Sequence, residues 1–134
     1  MKLKMRPYQG EDDYWRMRAF LREVFTLNGR RERSWQAYRL DYHRRHGIEN
    51  LKQGTMETDF FIWEDAGGRI VSVLNSEGRG NAFLQVHPEA GGRTVQVSRT
   101  TILLNNGSPG FNRPQIHRAR FSLVGFSNPS ISFK

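Results

Sequence analysis

The first regular pattern of apolar and polar positions along the chain has helical spacing. Its apolar residues recur at steps of three and four positions: Tyr14, Met17, Leu21, Val24 and Phe25. This spacing predicts an amphipathic α-helix. The acidic run Glu11–Asp13 suits the positive end of the helix dipole, and Asn28 with Gly29 predicts the end of the helix. The residues before it, Leu3–Tyr8, predict a short first strand.

A second helical pattern follows a charged connector. Ser34 is its predicted N-cap, and three aromatic residues follow at helical spacing: Trp35, Tyr38 and Tyr42. Basic residues gather toward the predicted C-terminal end, where they suit the helix dipole, and Gly47 is expected to end the helix. The polar segment Ile48–Thr58 predicts a loop.

Three compact apolar runs then predict β-strands. They are Phe60–Trp63, Ile70–Leu74 and Ala82–Val86. The connections Asp65–Gly68 and Ser76–Gly80 have turn composition, and Pro88 ends the third strand because it cannot donate to a ladder. Strands joined by such short turns predict an antiparallel meander. The element order is therefore β-α-α-β-β-β, an α+β fold with a mixed or antiparallel sheet.

The charge distribution divides the chain near residue 90. Up to Ala90 there are 15 basic and 13 acidic residues, whereas the following 44 residues hold six basic and no acidic ones. We therefore expect a folded unit over 1–90 and an atypical basic tail over 91–134. Within the tail, Thr94–Leu104 and Phe121–Phe126 predict short strands, and the residues from Ser127 onward are expected to be frayed.

Several classes of protein are disfavoured by composition. The chain has no cysteine, so disulfides and thiolate metal sites are excluded. No apolar run follows the charged N-terminus, and no stretch approaches the ~20 apolar residues of a membrane span. These features predict a soluble cytoplasmic protein that binds no metal.

The end of the third meander strand carries the most specific motif. Leu84, Val86 and Pro88 form an L-x-V-x-P pattern, and the chain opens with Met5–Tyr8 ahead of an acid-rich helix start. In the order β-α-α-β-β-β, these features resemble the N-terminal half of the GNAT family of acyl-CoA-dependent N-acetyltransferases. The resemblance covers about residues 2–90.

The resemblance implies transfer of an acetyl group from acetyl-CoA to a primary amine, carried by a small molecule or a peptide. In that family, main-chain groups of the fourth strand pair with the pantetheine arm, and main-chain N–H groups of the next loop hold the pyrophosphate. The corresponding residues here are Leu84, Gln85 and Val86 for the arm, and Gly91, Gly92 and Arg93 for the pyrophosphate.

The chain departs from the family after Pro88. The family's loop has the pattern R/Q-x-x-G-x-G/A, whereas the glycines and arginine of Gly91–Arg93 stand in another order. The following segment, Thr94–Thr101, is a poor helix former where the family has a helix. Two explanations stay open: a shifted reading frame near residue 90, or a true variant whose tail adds strands to the sheet.

Two residues are candidates for proton removal from the amine. Glu64 ends a predicted strand, and His87 follows the predicted cofactor strand. Each has a plainer interpretation, since a turn-flanking acid is usually solvated and a polar residue often marks a strand exit. His43 and His46 are three positions apart, but no carboxylate stands near them in sequence, which disfavours a metal site.

The aromatic residues of the second helix have two interpretations. Trp35, Tyr38 and Tyr42 line a substrate pocket if the helix borders the acceptor, as it does in the family. Packing in the core is the alternative. An open sheet edge would further allow a homo-oligomer.

The alternative function is non-specific nucleic-acid binding through the basic tail. Interleaved aromatic and basic side chains allow base stacking together with phosphate contacts. The candidate residues are Phe111, Arg113, His117, Arg118, Arg120 and Phe121.

Overall fold

The structure is a computed structural model of the chain. It describes residues 3–30, 35–76, 81–90, 95–97, 120–124 and 131–133. Within these residues, no helix has the length and apolar character required to cross a membrane.

Helices and strands alternate in the order that the sequence predicts through the meander. The helices are α1 (Glu11–Leu27), α2 (Ala37–Tyr42), a π-helix (His43–Asn50), α3 (Met56–Asp59) and a short 3₁₀ turn (Pro88–Ala90). The strands are β1 (Lys4–Pro7), β2 (Phe60–Glu64), β3 (Ile70–Ser76), β4 (Asn81–Val86), β5 (Val95–Val97), β6 (Arg120–Val124) and β7 (Ile131–Phe133).

Five of these strands form one mixed sheet in the order β1-β2-β3-β4-β6. The first four are antiparallel to their neighbours, which confirms the α+β class and the meander. β6 then pairs with β4 in parallel, with Asn81 opposite Arg120 and Gln85 opposite Val124. The turn between β2 and β3 forms as expected, because the main-chain N–H of Gly68 donates to the carbonyl of Asp65 at 3.0 Å.

The remaining two strands form a small parallel pair, with Val95 opposite Ile131 and Val97 opposite Phe133. Strands within Thr94–Leu104 and Phe121–Phe126 are thus found in part. The expectation of a frayed end is wrong for Ile131–Phe133. These residues are mostly apolar and pair with a β-branched partner strand, which the local pattern alone did not reveal.

Both faces of the main sheet are apolar and buried. On one face, α1 and the following helices cover a core that includes Met17, Leu40, Phe60, Ile62 and Val73. The opposite face carries a second cluster: Phe61, Trp63, Val71, Leu74, Leu84 and Val86. Burial on both faces explains why the strands appear in sequence as continuous apolar runs rather than as alternating ones.

The second helical region differs from the prediction. The first turn starts at Ala37, and Ser34 lies outside the described residues. Gly47 does not end the helix; it is buried inside the π-helix that continues to Asn50. The predicted loop Ile48–Thr58 therefore contains helix at both of its ends.

The second of those helices is α3, and its start has a clear cause. The side chain of Thr55 accepts the main-chain N–H of Thr58 at 3.2 Å, and Thr58 reciprocates to the N–H of Thr55. This capping box satisfies two N–H groups that a helix start leaves unpaired. Met56 is buried behind it. A polar composition concealed this short helix.

Candidate functional site

The carboxyl ends of β2 and β4 meet at one edge of the sheet, because both strands are antiparallel to β3. Ser72 of β3 lies opposite both Trp63 and Val86. The two predicted proton acceptors, Glu64 and His87, directly follow those residues. They therefore lie at the same edge with β3 between them, about 10 Å apart by strand spacing.

The main chain at the end of β4 has a definite orientation. The N–H of His87 donates to the carbonyl of Val71 at 2.9 Å. Since main-chain groups alternate in direction along a strand, those of Gln85 also face β3, whereas those of Leu84 and Val86 face the opposite border. The Gln85 carbonyl additionally accepts the hydroxyl of Ser72 at 2.8 Å.

That opposite border is occupied along most of β4. β6 pairs with it from Asn81 to Gln85, so Leu84 lies opposite Leu123 within the ladder. The expectation of a free border is wrong for this stretch, because a tail strand completes the sheet. Val86 lies one residue past the last pair in this register, with its main-chain N–H and C=O directed to the same side.

His87 is buried at the exit of β4, with 2 % of its surface exposed. Its ring lies against Phe20 of α1, with ring centroids 6.4 Å apart. The main-chain N–H of Glu89 donates to Nδ1 at 3.2 Å. On the other side of the ring, Nε2 lies 3.3 Å from Oε1 of Glu23 and 3.0 Å from Nη2 of Arg69.

These contacts fix the proton on the neutral ring. Because Nδ1 accepts from Glu89, the proton is on Nε2, where it is donated to Glu23. Arg69 can only donate, and its place is explained by its own bond to Oε1 of Glu23 at 3.1 Å. His87 therefore takes up a further proton only when the 3₁₀ turn releases Nδ1. The sequence indicated His87 but not its partner Glu23.

Glu64 lies in a nearly buried cluster of four charged residues. Arg6 donates to Glu64 at 2.7 and 3.0 Å and to both oxygens of Asp13 at 2.6 and 2.7 Å. Arg16 adds bonds to Glu64 at 2.8 Å and to Asp13 at 3.2 Å. The cluster ties β1, β2 and the first turns of α1 together. The sequence analysis considered Glu64 alone and did not find its three partners.

This cluster makes Glu64 a weak base. Hydrogen bonds from Arg6, followed by those from Arg16, hold the pKa of Glu64 below its ordinary value. The Arg6 guanidinium likewise lowers the pKa of Asp13. Both carboxylates therefore stay ionised near neutral pH and serve as structural anchors. Their arrangement favours the His87 region over Glu64 as the place of proton transfer.

The same pKa shifts predict how stability depends on pH. A carboxyl whose pKa is lower in the folded state stabilises the fold above its unfolded pKa and loses that contribution as the pH falls through its folded pKa. The ordinary values are 3.8 for Asp13 and 4.5 for Glu64. We expect the free energy of unfolding to decline below about pH 4.5.

Urea unfolding from pH 7 to pH 2 measures this decline, and the double variant Asp13→Asn/Glu64→Gln provides the comparison. The variant should start from a lower stability and decline less steeply. Parallel curves for the two proteins would contradict the assignment of the acid sensitivity to this cluster.

The predicted aromatic pocket does not form as one surface. Trp35 is buried and packs on Phe60, with centroids 6.0 Å apart. Tyr38 and Tyr42 are each 63 % exposed, on the outer side of α2. The pattern failed because Trp35 precedes the helix, so helical spacing does not relate it to the tyrosines. Core packing is right for Trp35, and neither interpretation fits the other two.

The two histidines that follow α2 have separate partners. Nε2 of His43 lies 3.1 Å from Oδ2 of Asp59, and its ring meets Phe60 edge-on. His46 instead stacks on Tyr42, with centroids 4.9 Å apart. Asp59 is a carboxylate neighbour that the local sequence did not suggest. Among the described residues, no group of three or more potential ligands for a metal ion comes together.

The remaining predicted site residues lie outside the described part of the chain. This applies to the proposed pyrophosphate loop, Gly91–Arg93, and to four of the six nucleic-acid candidates: Phe111, Arg113, His117 and Arg118. Arg120 and Phe121 are described as main chain only, and there they belong to β6.

Comparisons with known proteins add no identification. No protein-family model matches the sequence, and no curated protein is significantly similar to it. The function is therefore argued from the fold and the geometry of the site.

Proposed function

We propose that this chain is an N-acyltransferase of the GNAT type, which transfers an acetyl group from acetyl-CoA to a primary amine. The single observation that carries the proposal is the geometry at the end of β4. There Val86 directs its main-chain groups to the border of the sheet just past the last residue paired with β6. The element order through β4 is also that of the family.

The main chain of Val86 suits an extended, amide-bearing arm. One N–H donor and one C=O acceptor on a strand border can pair with such an arm in the way that an added strand does. The parallel partner β6 supports this use, because the carboxyl ends of parallel strands meet at one edge, where ligands of open sheets commonly bind. Of the three residues expected to hold the arm, Val86 is the one that we retain.

The chemistry requires the amine to lose a proton. Its nitrogen attacks the thioester carbon, a C–N bond forms, the C–S bond breaks, and the thiolate leaves and is protonated. We assign the proton lost by nitrogen to the Glu23–His87 pair. Glu23 is half-exposed on α1, and its carboxylate is fixed by His87 and Arg69. Neither group of this pair has the arginine clamp that keeps Glu64 ionised.

Calorimetry with acetyl-CoA tests the proposal, combined with hydrogen exchange of the β4 amides. We expect saturable micromolar binding that slows exchange at the Val86 amide. The Phe83 amide serves as an internal control, because it faces β3 and should not respond. Titration with pantetheine alone and with adenosine 3′,5′-bisphosphate alone separates the contribution of the arm from that of the phosphates.

Absence of saturable binding at millimolar acetyl-CoA would exclude the transferase. Saturable binding with an unchanged Val86 amide would leave the cofactor but move it to another part of the chain.

A further inference from the structure

Gln85 carries an unusual buried side chain. Only 1 % of the residue is exposed, and among the residues that the structure describes, neither its Nε2 nor its Oε1 has a hydrogen-bond partner. A buried carboxamide can make several hydrogen bonds, and leaving them unmade costs free energy. Such a group in a native fold requires an explanation, and an unoccupied ligand site is one.

The side chain lies on the helix-covered face of the sheet. Side chains alternate along β4, and both neighbours of the same parity, Phe83 and His87, contact the elements on that face. Gln85 thus lies between them and opposite Val73 of β3. The other face of β4 is purely apolar there, with Leu84 and Val86 in its cluster.

Polar groups next to Gln85 are satisfied by the fold itself. The hydroxyl of Ser72 donates to the main-chain carbonyl of Gln85, and both ring nitrogens of His87 have partners. The fold thus provides partners for groups on either side of the carboxamide. This contrast separates Gln85 from a generally loose or polar interior.

We propose that the Gln85 carboxamide binds an amide group of the ligand, an inference that rests on the proposed transferase function. A carboxamide presents one acceptor and two donor hydrogens, which match the N–H and C=O of a secondary or primary amide. Two ligands carry that chemistry: the pantetheine arm, which Val86 would hold from the neighbouring position, and an acceptor amine that bears an amide, such as an amino-acid amide.

The test compares the wild-type protein with Gln85→Met, which keeps the volume and removes the polar atoms. We expect the urea midpoint of the variant to equal or exceed that of the wild type, and its affinity for the ligand to fall at least tenfold. In the wild type, the side-chain NH₂ resonances of Gln85 should shift on titration. Pantetheine and glycinamide are titrated separately to identify the source of the amide, with ethylamine as the amide-free control.

Each outcome decides the matter. Loss of affinity without loss of stability supports the proposal, and the titrant that shifts the NH₂ resonances names the source. A lower midpoint with unchanged affinity overturns it, because internal hydration then satisfies the carboxamide. Binding of acetyl-CoA that Gln85→Met leaves intact also overturns it, while the transferase function stands. A response to glycinamide in a protein that does not bind acetyl-CoA would uphold the amide site and reject the transferase.

Discussion

Replacing Arg6 by methionine is expected to lower the free energy of unfolding by about 3 kcal/mol, because it strands two nearly buried carboxylates. The side chains of Arg6, Asp13 and Glu64 are only 12, 6 and 14 % exposed. Methionine keeps the apolar stem, so the loss reports the missing charge rather than a cavity. Arg16 remains beside both carboxylates and limits the damage. Urea denaturation at pH 7 measures the effect.

Arg45→Met is the matched control for this variant. Arg45 is 71 % exposed, and its nearest acidic partner, Glu49, lies 3.8 Å away. Exposed pairs of this kind contribute little, so a change of no more than about 0.5 kcal/mol is expected. If the two variants lose the same stability, the cluster around Arg6 is not the anchor that its geometry indicates.

Truncating Phe60 to alanine is expected to cost about 3–5 kcal/mol, the largest effect of any core substitution proposed for this chain. Phe60 is fully buried at the junction of α3 and β2. Its ring lies between Trp35 and His43, with centroid distances of 6.0 and 5.5 Å. Removing the ring leaves a cavity between the helical region and the sheet. Thermal unfolding and the emission spectrum of Trp35 both report it.

Tyr38→Ala removes a ring of similar size from an exposed position and serves as the comparison. Its effect on stability should stay within about 0.5 kcal/mol. An equal loss in the two variants would mean that Phe60 packs no better than a surface residue. Phe60→Leu should fall between the two, since it fills part of the cavity.

Elements with a repeating apolar pattern were predictable from the sequence. α1 and the strands β2 to β4 are specified by local periodicity and by turn residues such as those of Asp65–Gly68, and these signals need no knowledge of distant partners. The bounds differ by one or two residues, as in β1. The antiparallel order of the meander followed directly from the short connections.

What the sequence did not reveal depends on contacts between distant positions. The π-helix inserts Gly47 into a helical region whose composition predicts a stop, and the long-range pairing of β6 with β4 is not encoded in either strand alone. The site shows the same limit. Arg6 and Glu64 are 58 positions apart, and Glu23 reaches His87 only because of the angle at which α1 crosses the sheet.

The parallel pairing of β4 with β6 has a consequence for the protein during its synthesis. Val124 is added to the chain 38 residues after Val86. At ribosomal rates of about 5–20 residues per second, the nascent meander therefore waits about 2–8 s before its last partner strand exists. Throughout that interval the border of β4 offers unpaired N–H and C=O groups to any neighbouring nascent chain. Expression yield should consequently depend on translation speed between these two strands and on chaperones that shield exposed strand borders.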